Sequence, residues 1–93
     1  MIHVAICDDD SNIVEYIGKY LETKNKQTSD ITLDISLYKS GEDFLRAIET
    51  GDKFQIVFMD IQMNDVNGVE VGKTLRSQPD GDDVIMIYIS YYD

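Results

Sequence analysis

The sequence predicts one α/β domain, a doubly wound parallel sheet with helices on both faces. Three observations carry this. Four short apolar runs, at residues 2–7, 31–37, 54–59 and 84–89, alternate with stretches whose apolar residues recur at helical spacing. An order of strand, helix, strand, helix, strand, helix, strand needs crossover connections, which set the strands parallel with right-handed crossovers. Carboxylates follow the first run at Asp8, Asp9 and Asp10 and close the third at Asp60, so acids distant in sequence meet at the carboxyl edge of such a sheet.

The first run, IHVAIC, reads as a buried strand, and its Cys7 as a small core hydrophobe, because a single cysteine has no internal disulfide partner. Residues 10–12 (DSN) offer helix caps, and negative charge there suits the helix dipole. Ile13, Val14, Ile17, Tyr20 and Leu21 then form the apolar stripe of a first helix that frays through residues 23–30. Ile31, Leu33, Ile35 and Leu37 alternate with polar residues, the pattern of an edge strand.

Ser40 and Asp43 resemble a capping box ahead of a second helix, with Phe44, Leu45 and Ile48 inward and Gly51 at its end. Residues 54–59 (FQIVFM) form a continuous apolar run, expected to be buried on both faces. After the loop 61–67, Gly68 opens a third helix with Val71 and Leu75 inward, and Pro79 and Gly81 punctuate its end. Residues 84–89 (VIMIYI) read as another buried strand, followed by Ser90.

Composition narrows the function. Ninety-three residues make one small domain with a thin stability margin. No apolar run approaches the ~20 residues of a membrane span, and the start lacks the pattern of an export signal, so the expected location is cytoplasmic. A net charge of -10 repels a polyanion, which argues against nucleic-acid binding by this segment. Converging carboxylates must instead take up protons or share a cation, and hard oxygen ligands suit Mg²⁺. A cation there would leave Asp60 able to attack a phosphoryl group as a nucleophile, with the Ser90 hydroxyl available to a phosphoryl oxygen.

At ICDDD after the first strand, FMDIQMNDVNG around Asp60 and IYIS at the fourth strand, the chain resembles the receiver domain of two-component response regulators. The resemblance implies the flavodoxin-like (CheY-like) form of the doubly wound fold. It implies that Asp60 is the phosphoacceptor for a histidine kinase, that Asp8, Asp9, Asp60 and the backbone carbonyl of Gln62 hold Mg²⁺, and that Ser90 is the switch hydroxyl. Asp10 is left to capping, and Gly68 matches the family's loop glycine.

Two departures stand out. Asn64 occupies a position where the family pattern usually has proline. The family pattern also continues through a fourth helix, a fifth strand with a phosphoryl-pairing lysine, and a fifth helix. The sequence stops at Asp93, so residues 1–93 read as an incomplete receiver, truncated after the fourth strand. An output domain, DNA-binding and of LytTR type by a weaker resemblance, would lie elsewhere. An uncovered fourth strand is expected to support a homodimer, with Tyr88, Tyr91 and Tyr92 as contacts.

Other classes compete with this reading. A pseudo-receiver would be an interaction module that is never phosphorylated. A Mg²⁺-dependent aspartyl phosphatase of the haloacid dehalogenase type would need a second acid two residues after the nucleophile, where Gln62 stands. Three acids at the phosphate position disfavour a flavin. His3, inside the first strand, reads as structural.

Overall fold

The computed structural model describes residues 1–28 and 31–90 of the chain. It contains β1 (Ile2–Cys7), α1 (Ser11–Thr28), β2 (Leu33–Tyr38), α2 (Gly41–Glu49), β3 (Ile56–Asp60), α3 (Gly68–Arg76) and β4 (Ile85–Ile89), with a 3-10 turn at Gly81–Asp83 before β4. The strands form one sheet in the order β2-β1-β3-β4, and every pairing is parallel.

Side-chain alternation decides which helix lies on which face. Val4 and Ile6 of β1 face α1, where they pack with Val14, Ile17 and Leu21 and with Ile56 and Phe58 of β3. Ala5 and Cys7 point the other way, as do Val57 and Met59, into a larger core with Phe44 and Ile48 of α2 and Val71 and Leu75 of α3. The sheet thus carries helices on both faces, as the alternation of strands and helices predicts.

The helix signals also hold locally. Asp10 accepts Ile13 and Val14 N–H on its carbonyl and Asn12 N–H on its carboxylate, at 3.0–3.2 Å, so it opens α1. Ser40 Oγ accepts the Asp43 N–H at 3.1 Å. Gly51 follows α2 with φ of +102°, a left-handed conformation that glycine adopts without strain.

Boundaries differ from the sequence reading in four elements, of which β4 differs least, beginning at Ile85 and not at residue 84. α1 continues helical to Thr28 where fraying is expected from residue 23, since several of these polar residues are good helix formers. β2 begins at Leu33, and Ile31 stands half exposed before it. β3 begins at Ile56, because Phe54 enters the core from the preceding loop, in edge-on contact with Tyr38 and beside Phe44.

The reading of residues 84–89 as a buried strand is corrected, while the expectation of an uncovered fourth strand agrees with the structure. Met86 packs on the α2–α3 core, but Ile85 is 58% and Ile87 41% exposed on the opposite face. Both belong to the face that α1 covers over β1 and β3, and among the described residues no helix reaches as far as β4 there. Tyr88 is also partly exposed, and Tyr91 and Tyr92 lie outside the described residues.

Candidate functional site

Consecutive strands leave β1 in opposite directions, to β2 on one side and β3 on the other. At such a reversal the two loops at the carboxyl ends diverge and open a crevice. Asp8 and Asp9 follow β1 directly, and Asp60 is the last residue of β3. Their carboxylates converge there, each offering one oxygen with all three within 4.8 Å of one another. Asp8 and Asp60 are 1% and 2% exposed, and Asp9 is partly exposed at the mouth.

Each acid is held by a backbone donor. Asp8 Oδ1 accepts the Asp10 N–H at 2.9 Å, and Asp60 Oδ1 accepts the Gln62 N–H at 3.1 Å, both turns closing two residues ahead. Asp9 differs: its Oδ2 accepts the N–H of Asn64 in the β3–α3 loop at 2.9 Å.

Burial pushes the Asp60 carboxyl up to about 6. The Gln62 N–H works against this, while the negative charges of Asp8 and Asp9 and a hydrogen bond with Asp8 add to it. The site therefore stores unfavourable charge that a cation would relieve.

Of the other residues singled out in the sequence, Gln62 lies two positions after Asp60 and forms an isolated antiparallel bridge with Asn67. Ser90 comes one position after Ile89, which pairs with Asp60 and accepts the Ile61 N–H at 3.1 Å, so it stands exposed at the same edge. Asp10, adjacent to the acidic pair, is spent on the helix cap.

Gly68 starts α3 against the β3 end. A β-carbon there would overlap the backbone carbonyl of Asp60 and sit 3.0 Å from Ile61 Cα, while the Gly68 N–H donates to Ile61 O at 2.8 Å. The Cys7 thiol lies 3.6 Å from Met63 Sδ, beneath the same loop, and burial pushes it up to about 12, so it is a packed thiol and no nucleophile.

Sequence reasoning missed two residues of this loop. Asp65 accepts the N–H groups of Glu42 at 2.9 Å and Gly41 at 3.3 Å, fastening the loop to the start of α2. The Asn64 donor to Asp9 was missed as well. Both contacts are long-range and use a cap or a backbone donor supplied from another element, which no local pattern reveals.

Three carboxylate oxygens with one side open fit a small hard cation better than a soft one. The residues present therefore suit Mg²⁺, with Asp8, Asp9 and Asp60 as candidate ligands.

The family model for the response regulator receiver domain matches residues 4–92. The sensory transduction protein LytT of Oceanobacillus iheyensis is 28% identical over 94 residues, covering 99% of this chain and 35% of that protein. The heme response regulator HssR of Staphylococcus epidermidis is 33% identical over 76 residues, covering 82% and 30%. The chain thus spans about a third of the length of these curated relatives. Among solved structures, the response regulator protein TrrA of Thermotoga maritima, in complex with Mg²⁺-BeF, matches with a TM-score of 0.79 at 25% identity, covering 100% of this chain and 72% of that one.

Proposed function

We propose that this chain, which belongs to the response regulator receiver domain family, is a phosphoacceptor that takes a phosphoryl group from a histidine kinase onto Asp60. The observation that carries the reading is the meeting of Asp8, Asp9 and Asp60 within 4.8 Å at the point where the strand order reverses.

Mg²⁺, held by Asp8, Asp9, Asp60 and the Gln62 carbonyl, would neutralise the cluster and offer open positions to phosphoryl oxygens. The chain's own residues do the rest. A carboxylate oxygen of Asp60 forms the new O–P bond as the donor's N–P bond breaks, and the electron pair leaves with the imidazole nitrogen. The Gln62 N–H, donated to Asp60 Oδ1, fixes the carboxylate's orientation for this attack. Ser90 provides a hydroxyl donor to the transferred group from the end of β4.

The acyl phosphate adds close to two negative charges at the crevice. We assign the response to the Ser90 segment and the adjoining β4 surface, which would alter contacts with a second copy or with an output element. The output, DNA binding in this reading, belongs to sequence outside these elements, in keeping with the charge of -10. A homodimer through β4 suits the exposed Ile85 and Ile87 at the sheet edge. We place the chain in the cytoplasm, and no helix among the described residues is long and apolar enough to cross a membrane.

Site mapping tests the assignment. After reaction with a small-molecule phosphodonor and Mg²⁺, borohydride reduction of the acyl phosphate should modify the peptide carrying Asp60. Modification of any other aspartate would overturn the role given to Asp60.

A further inference from the structure

Asp9 depends on a donor from another part of the fold. The donors to Asp8 and Asp60 arise two residues further along the same segment, and follow once each turn has formed. The donor to Asp9 is the N–H of Asn64, 55 residues away, in the loop between β3 and α3. Asp9 is also the most open of the three acids, so burial alone does not fix its side chain.

The next residue, Asp65, binds the loop to α2 through the Gly41 and Glu42 N–H groups. Two consecutive residues therefore tie one loop to two elements, Asn64 to the end of β1 and Asp65 to the start of α2.

We propose that the Asn64 backbone N–H is a positioning donor of the cation site: it holds the Asp9 carboxylate in place as a ligand and couples cation binding to the β3–α3 loop. This rests on the reading of Asp8, Asp9 and Asp60 as a Mg²⁺ site. The Asn64 side chain is not required, since the donor is the main chain. Any residue except proline supplies it, and proline is what the family pattern usually has here. The carboxylate keeps its second oxygen for the cation while the N–H orients the first, as outer-shell donors do for metal ligands.

Mg²⁺ titration by calorimetry, on the full chain, tests this. Asn64→Ala keeps the N–H and should bind within about twofold of the parent, whereas Asn64→Pro should bind about tenfold more weakly. Because proline also restricts the backbone, a second measurement uses amide hydrogen exchange. Asp9→Ala should speed exchange at Asn64 about tenfold while leaving Glu42, whose N–H is held by Asp65, unchanged. In the parent, adding Mg²⁺ should shift the Asn64 amide resonance.

Equal Mg²⁺ affinity in the parent and Asn64→Pro, or unchanged Asn64 exchange in Asp9→Ala, would overturn the positioning role while leaving the cation site intact. No Mg²⁺ binding by the parent would overturn both the site and this inference.

Discussion

The first residue of α3, Gly68, sits so close to the end of β3 that a β-carbon there would overlap the backbone carbonyl of Asp60. No positive φ is involved at this position, so the requirement is for space. Gly68→Ala must move either the start of α3 or the residue proposed to accept phosphate. Overpacking against backbone typically costs about 1–3 kcal/mol, and we expect a loss in that range by urea denaturation. A variant as stable as the parent would show that the close approach is not needed.

The pH dependence of stability follows from Asp60. Burial first, then the charges of Asp8 and Asp9, set its carboxyl at about 6 in the fold against an ordinary value of 3.8. A raised folded-state value means that the contribution is fully present below about 3.8 and is lost as pH rises through about 6. The metal-free loss above that window is at most about 3 kcal/mol. Asp60→Asn should therefore be more stable than the parent at pH 7.5 without Mg²⁺, by roughly 1–3 kcal/mol, and equal to it near pH 3.5. Thermal melts across this range check both ends.

Mg²⁺ should act in the same window. It competes with protons for the cluster, so it should raise the parent's melting temperature at pH 7.5 and have little effect at pH 4. In Asp60→Asn the increase at pH 7.5 should be smaller, because one ligand has lost its charge.

Asp65 tests how the loop is fastened. Burial draws its carboxyl upward, but the N–H groups of Glu42 and Gly41 more than offset this and leave it below the ordinary value. Here stability is present above the unfolded value of 3.8 and is lost as pH falls through the lower folded one. Asp65→Ala removes a helix cap and should cost about 1 kcal/mol at pH 7. That cost should shrink in acid, the opposite trend to the one expected from Asp60.

Much of this was legible in the sequence because it rests on short-range patterns. Apolar runs alternating with helical stripes gave the parallel sheet, and acids after the first and third strands converge once the sheet is parallel. That β4 is an uncovered edge was legible from the order of elements, but which of its side chains stay covered was not. VIMIYI has the composition of a buried strand, and composition does not say which helices cover it. The ties from Asn64 to Asp9 and from Asp65 to α2 were equally hidden, since both join segments that only the folded chain brings together.

The β4 edge carries the prediction on assembly. Among the described residues β4 is an edge strand and carries the exposed Ile85 and Ile87, so sedimentation should show concentration-dependent self-association. Ile87→Lys should weaken it without unfolding the chain, because position 87 is already 41% exposed. A parent that stays monomeric at high concentration would remove β4 as a dimer surface.

The most direct test of the central claim is the intact mass of the chain after incubation with a small-molecule phosphodonor, with and without Mg²⁺, beside Asp60→Asn. We predict the gain of one phosphoryl group that requires both Mg²⁺ and Asp60. No gain in the presence of Mg²⁺, or an equal gain in Asp60→Asn, would contradict it.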